Sequence, residues 1–130
     1  MKQPEQARLY LQKASEDEAL LDEVIESARV SDAAIGFHCQ QAAEKLLKAL
    51  LSHHGVRFRR THDLKELMDL ATDNGMEIPG PLMELDSLNP YAVEFRYDLL
   101  PWEGEVPLDR QGARKLIREL RAWVEGELRG

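Results

Sequence analysis

The chain has 130 residues, 43% hydrophobic and 32% charged, with a formal net charge of −7. That length accommodates one domain, residues 1–130, and leaves too little for a second core. The absence of any run of about 18 apolar residues excludes a membrane-spanning helix, and the acidic balance argues against a surface for duplex nucleic acid, whose binding is driven by phosphate neutralisation. The lone cysteine, Cys39, excludes an internal disulfide framework and a cysteine-rich zinc site. Charge begins at Lys2, with no apolar signal-peptide core, so the expected localisation is cytoplasmic.

From about Pro4 to Ala28, apolar residues recur as Ala7, Tyr10, Ala14, Leu21, Val24 and Ala28, the seam of a helix in a bundle. Asp17 interrupts this seam. Val30-Ser31-Asp32 breaks the helix, with Ser31 or Asp32 as the next N-cap. A second helix runs from about Ala33 to His54 and stops at Gly55, and Val56 to Arg60 reads as an extended connection. Thr61 is the predicted N-cap of a third helix, roughly His62 to Thr72, closed by Asp73-Asn74-Gly75.

After Pro79-Gly80-Pro81 a helix carries Leu82, Leu85 and Leu88, and Asn89-Pro90 stops and restarts it as far as about Tyr97. Leu99 to Pro107 is a predicted loop, and the last helix runs from about Asp109 to Leu128. The expected fold is all-α: an antiparallel up-and-down helical bundle with three long helices and shorter helices between the second and the last.

The second helix has an unusual surface. At about 100° per residue, His38, Gln41, Glu44, Lys45, Lys48 and Ser52 gather within an arc of roughly 120°. Nearly everything else on the helix is apolar, more than the face of about 100° that an edge helix buries. Two neighbours are therefore expected, one of which could come from another subunit. Gln40 points into the apolar flank and needs a specific partner there. Asp17 on the first helix needs a cation, and Lys45 or His38 can supply it.

The polar arc reads either as a solvated face or as a groove lined by an imidazole, an amide and two ammonium groups, able to hold a phosphate or another anion. Thr61 and His62 lie where a helix N-terminus favours negative charge. Arg57, Arg59 and Arg60, just upstream, form a dense basic patch that is either solvated or in contact with a phosphate or an acidic surface. No pair of His or Cys residues shows ligand spacing with a third nearby, so neither metal nor cofactor is expected.

The segment Phe37-His38-Cys39-Gln40-Gln41-Ala42-Ala43-Glu44-Lys45-Leu46-Leu47-Lys48-Ala49-Leu50-Leu51 resembles the signature helix of the HEPN domain family (higher eukaryotes and prokaryotes nucleotide-binding). Thr61-His62-Asp63-Leu64 is similar to a block at the start of that family's next helix, and Tyr91 with Arg96-Tyr97-Asp98 to one before its last helix. Asp17 falls where many members carry an acid on the first helix. The resemblance spans roughly residues 7 to 128 and implies a homodimeric all-α bundle that commonly works with a minimal nucleotidyltransferase, in some cases as a toxin–antitoxin component.

Taken together, these readings give a candidate nucleotide or anion groove of His38, Gln41, Lys45, Lys48, Thr61, His62, Arg96 and Tyr97, supported by Asp17. The family's ribonucleases carry Arg followed after four to six residues by His near the start of the last long helix. This chain departs from that pattern: its histidines are His38, His53, His54 and His62, and none follows Arg96. The expectation is a non-catalytic binding and interaction module. The alternative is a metal-independent ribonuclease, for which only Arg57 and His62 have the spacing, across a loop that holds a catalytic pair poorly.

Overall fold

The computed structural model describes residues 2–92 and 107–129. Its described elements are all helical, in agreement with the expected class: α1 (Pro4–Val24), α2 (Asp32–His53), α3 (Leu64–Asp73), a 3₁₀ segment (Gly80–Leu88) and α4 (Arg110–Arg129). No helix among these residues is long and apolar enough to cross a membrane.

Helix α1 opens with proline in its first turn and buries Ala7, Ala14, Asp17, Glu18 and Leu21. It ends at Val24, short of the expected Ala28, and the carbonyls of the turn that follows are met by an arginine from the start of the last helix. Arg110 donates to the carbonyls of Ile25 (3.0 Å), Ser27 (3.1 Å) and Val30 (2.6 Å). Its Nε bonds Asp32 Oδ1 at 2.8 Å, and the Leu108 amide donates to Asp32 Oδ2 at 2.9 Å. Carbonyls at a helix end need such partners once the helix stops. Asp32 is thus occupied, and Ser31 serves as the α2 cap, accepting from the Ala34 amide at 3.1 Å.

Helix α2 is the centre of the bundle. It packs against α1, α4, α3 and the 3₁₀ segment, so its wide apolar surface finds its neighbours within this chain and needs no second subunit to cover it. Gly36 also leaves room for the Tyr91 ring, just beyond the 3₁₀ segment, which an added Cβ would overlap.

Helix α3 starts two residues later than expected, and its cap is Asp63, not Thr61. Asp63 Oδ1 accepts from the amides of Lys65 and Glu66, while Thr61 Oγ1 accepts from the Asp63 amide at 3.1 Å. Asn89 braces the same turn, accepting from the Leu64 amide (2.8 Å) and donating to Asp63 Oδ1 (3.0 Å). The Leu82, Leu85 and Leu88 stretch is 3₁₀, not α. All three leucines are buried, and a strict spacing of three puts them on one edge of a three-residue-per-turn helix. Tyr91–Ala92 begins the expected restart; its continuation to Tyr97 and the loop from Leu99 to Val106 lie outside the described residues.

Ion pairs tie α1 to α4 across the bundle. Arg114, 6% exposed, donates twice to Asp22 (2.7 and 3.1 Å) and once to Glu18 (3.3 Å). Arg121 bonds Glu18 Oε2 through Nε at 2.8 Å, and also Glu125 and Ser15. The Arg114 hydrogen bond, opposed by partial burial and reinforced by the charges of Arg114 and Arg118, holds the Asp22 carboxyl below its ordinary 3.8.

Two stability experiments follow from this packing. Gly36→Ala should lower unfolding free energy by about 1–3 kcal/mol through overpacking, whereas Gly126→Ala, with nothing within 4 Å of the new Cβ, should raise it by up to about 1 kcal/mol; urea denaturation checks both signs. For Asp22 the folded carboxyl is the more acidic, so its contribution is complete above the unfolded value of 3.8 and is lost as pH falls through the folded one. Urea midpoints measured from pH 7 downwards should therefore fall less steeply below pH 4 in Asp22→Asn than in the parent.

Candidate functional site

The polar arc of α2 becomes two clusters, each built on one buried carboxylate. In the first, Asp17 of α1 reaches α2: Lys45 Nζ lies 2.6 Å from Asp17 Oδ2, and His38 Nδ1 lies 3.0 Å from Oδ1. Both partners foreseen for Asp17 are present together. In the second, Glu44 Oε2 accepts from Lys48 Nζ at 3.0 Å, and its Oε1 meets His62 Nδ1 at 2.7 Å. Lys48 is buried and also lies 5.8 Å from the centre of the Phe58 ring, which in turn faces Tyr10 of α1.

The glutamines join this framework. Gln40, fully buried, donates to the His62 carbonyl at 2.8 Å and to Glu44 Oε1 at 3.3 Å. Gln41 donates to Gln40 Oε1 at 2.7 Å. The specific partner demanded of Gln40 is therefore the segment entering α3. This matters for His62: its ring is pinned by Glu44 and its main chain by Gln40, so the loop at this point is anchored to α2.

The histidine geometry has a chemical consequence. An ionised carboxylate only accepts hydrogen bonds, which assigns the proton to each Nδ1 and leaves each Nε2 as the nitrogen that the carboxylate does not engage. No hydrogen bond from the described residues reaches either Nε2. Neutral, these nitrogens accept from a base amine; protonated, they donate to a phosphate oxygen. The lysines behave differently. Lys45 and Lys48 are each matched by a carboxylate, so each cluster is neutral while its imidazole is neutral.

His38, Gln41, Lys45 and Lys48 thus share one side of α2, His62 joins them through Glu44, and Asp17 supports the first cluster. Thr61 lies beside them, buried, with its hydroxyl turned to the Asp63 amide. Arg96 and Tyr97 lie outside the described residues. Of the basic run, Arg59 is held by Glu66 through contacts of 2.7 to 3.1 Å, while Arg57 and Arg60 are exposed.

Sequence reasoning placed Glu44 on the arc without giving it a role; the i,i+4 relation of Glu44 to Lys48 was the available signal. Cys39 plays no nucleophilic part, because burial pushes its thiol up to about 12. An open pocket of about 400 Å³ lies elsewhere, between Ile25–Ala28 and Leu108–Gln111, and touches none of these residues. No group of three or more potential metal ligands occurs among the described residues.

Residues 7–126 match the family model of the HEPN domain, and the chain belongs to that family. No curated protein and no solved structure matches it.

Removal of the Glu44 carboxylate leaves Lys48 charged and enclosed. Glu44→Ala should cost about 3–5 kcal/mol in urea unfolding, and adding Lys48→Met should recover part of that loss. A change below about 1 kcal/mol in the single variant would mean that the pair contributes no more than a solvated one.

Proposed function

We propose that this HEPN protein is a nucleotide-recognising interaction module, with two carboxylate-anchored imidazoles, His38 of α2 and His62 of the segment before α3, as the contact points for its ligand. The observation that supports this reading is the pair of Nε2 atoms, each oriented through Nδ1 by a buried carboxylate and each without a hydrogen-bond partner among the described residues. Groups held in this way lose little freedom on binding. Gln41 lies near His38 on the same face of α2 and bonds Gln40, which holds the His62 main chain, and Lys45, partly exposed, adds a donor. Ligand contacts fall to His38, Gln41, Lys45 and His62, while Lys48 and Asp17 hold the frame. Arg96 and Tyr97 remain candidates through the family resemblance alone.

In this reading the module acts as a homodimer beside a minimal nucleotidyltransferase, as a component of a toxin–antitoxin pair. HEPN domains commonly dimerise, and α2 is already covered by its own chain, so the dimer contact is assigned to the outer surfaces of the bundle. Co-expression with a minimal nucleotidyltransferase encoded in the adjacent reading frame should give a complex that co-purifies.

A second reading, a metal-independent ribonuclease, gains one specific observation: the Glu44 and Gln40 contacts hold His62 more firmly than a loop position implies. It would use His62 with Arg57.

A nucleoside triphosphate at about 100 times its dissociation constant should stabilise the fold by about 2.7 kcal/mol, read as a rise in melting temperature. Lys45→Ala with Lys48→Ala should abolish the rise, and so should His38→Ala with His62→Ala, which leaves both lysine pairs in place. A flat response across nucleotides would defeat the proposal. Cleavage of RNA in chelator that disappears in His62→Ala would favour the ribonuclease.

A further inference from the structure

The charge balance of the imidazole site bears on which part of a nucleotide it takes. Asp17 is engaged by His38 through Oδ1 and by Lys45 through Oδ2. Glu44 is engaged by His62 and Gln40 through Oε1 and by Lys48 through Oε2. Every oxygen of the two carboxylates is therefore occupied, and with both rings neutral the charges cancel. A phosphate entering here meets ammonium groups that are already matched, and two carboxylates beside them. An uncharged group meets no such opposition.

The two amides are oriented by the same network. Gln40 turns its NH₂ to the His62 carbonyl and the Glu44 carboxylate, which can only accept, so its own oxygen faces Gln41. Gln41 answers with one N–H at 2.7 Å. Its oxygen and its second N–H then have no partner among the described residues. His38 lies three residues before Gln41 and Lys45 four residues after it, on one face of α2. Glu44, three residues after Gln41, holds His62. The open positions are thus three acceptors, the Gln41 oxygen and two imidazole Nε2 atoms, with the amide N–H and the spare hydrogens of Lys45 as donors.

We propose, resting on the nucleotide reading above, that the site takes its ligand by the base and not by the phosphates, and that the base carries an amino group beside a ring-nitrogen acceptor, as adenine and cytosine do. The amino group donates to the Gln41 oxygen while the Gln41 N–H donates to the ring nitrogen, the two-point contact by which glutamine reads adenine. The second amino hydrogen is left for an imidazole Nε2. Uracil and guanine set a carbonyl oxygen where that amino group would be, against the lone pairs of the same acceptors. Ribose and phosphates carry no share of the selection.

The test is calorimetric titration of the full chain at about pH 8, above the ordinary histidine range, with ATP, adenosine, purine riboside (adenosine without its amino group) and tripolyphosphate. Adenosine should bind within about threefold of ATP, tripolyphosphate should not displace either, and purine riboside should bind at least roughly tenfold more weakly. Gln41→Met, shown to be folded by a circular dichroism melt, should bring adenosine down to the level of purine riboside. The ligand comparison needs only the parent chain. Binding of ATP without adenosine, or its displacement by tripolyphosphate, overturns the base reading and leaves the nucleotide reading standing. Silence from ATP and adenosine alike overturns both. Equal affinity for adenosine and purine riboside, or a Gln41→Met variant that still separates them, overturns the assignment of the amino group to Gln41.

Discussion

Three carboxylates inside a helical bundle dictate much of its side-chain chemistry. Asp17, Glu18 and Glu44 are each less than a tenth exposed, and a bare carboxylate in such surroundings costs several kcal/mol. Each is answered by its own set of basic side chains. Asp17 draws on α2 through His38 and Lys45, Glu44 on its own helix and the approach to α3, and Glu18 on α4 through Arg114 and Arg121. Apolar burial supplies the bulk of the driving force. The charges select the arrangement: α1 is oriented by two adjacent acids that face different helices, so a small rotation would strand both.

The same neutralisation shapes the reading of function. Lysines aligned on a helix suggest an anion site, but here each is already matched. What the frame offers to a ligand is oriented hydrogen-bonding nitrogen, not excess positive charge. Recognition of a nucleotide on such a surface depends on geometry at His38 and His62, with charge contributed by ring protonation when phosphate is the group bound.

Much of this was legible from residue order. The period of α1, α2 and α4 gave the class, the break in the α1 seam identified Asp17, and the amide facing the α2 flank identified Gln40 as needing a partner. Long-range demands were not legible. The turn after α1 is bound by Arg110, some eighty residues away, and no local propensity encodes that contact. Thr61 is a good cap by composition, but Asn89 braces Asp63 and shifts the start of α3. Glu44 looked like one charge in a polar strip because its value lies in the enclosure of Lys48, which arises only once Phe58 folds back over the helix.

The reach of Arg110 bears on synthesis from the ribosome. The hairpin of α1 and α2 is local in sequence and forms early by the general advantage of short loops. Its turn, however, presents the carbonyls of Ile25, Ser27 and Val30 to water until the final helix has emerged. Glu18 likewise waits for two arginines translated about a hundred residues after it. An incomplete chain therefore holds a preformed hairpin with unanswered polar groups, and the last segment to be made is the one that locks the first.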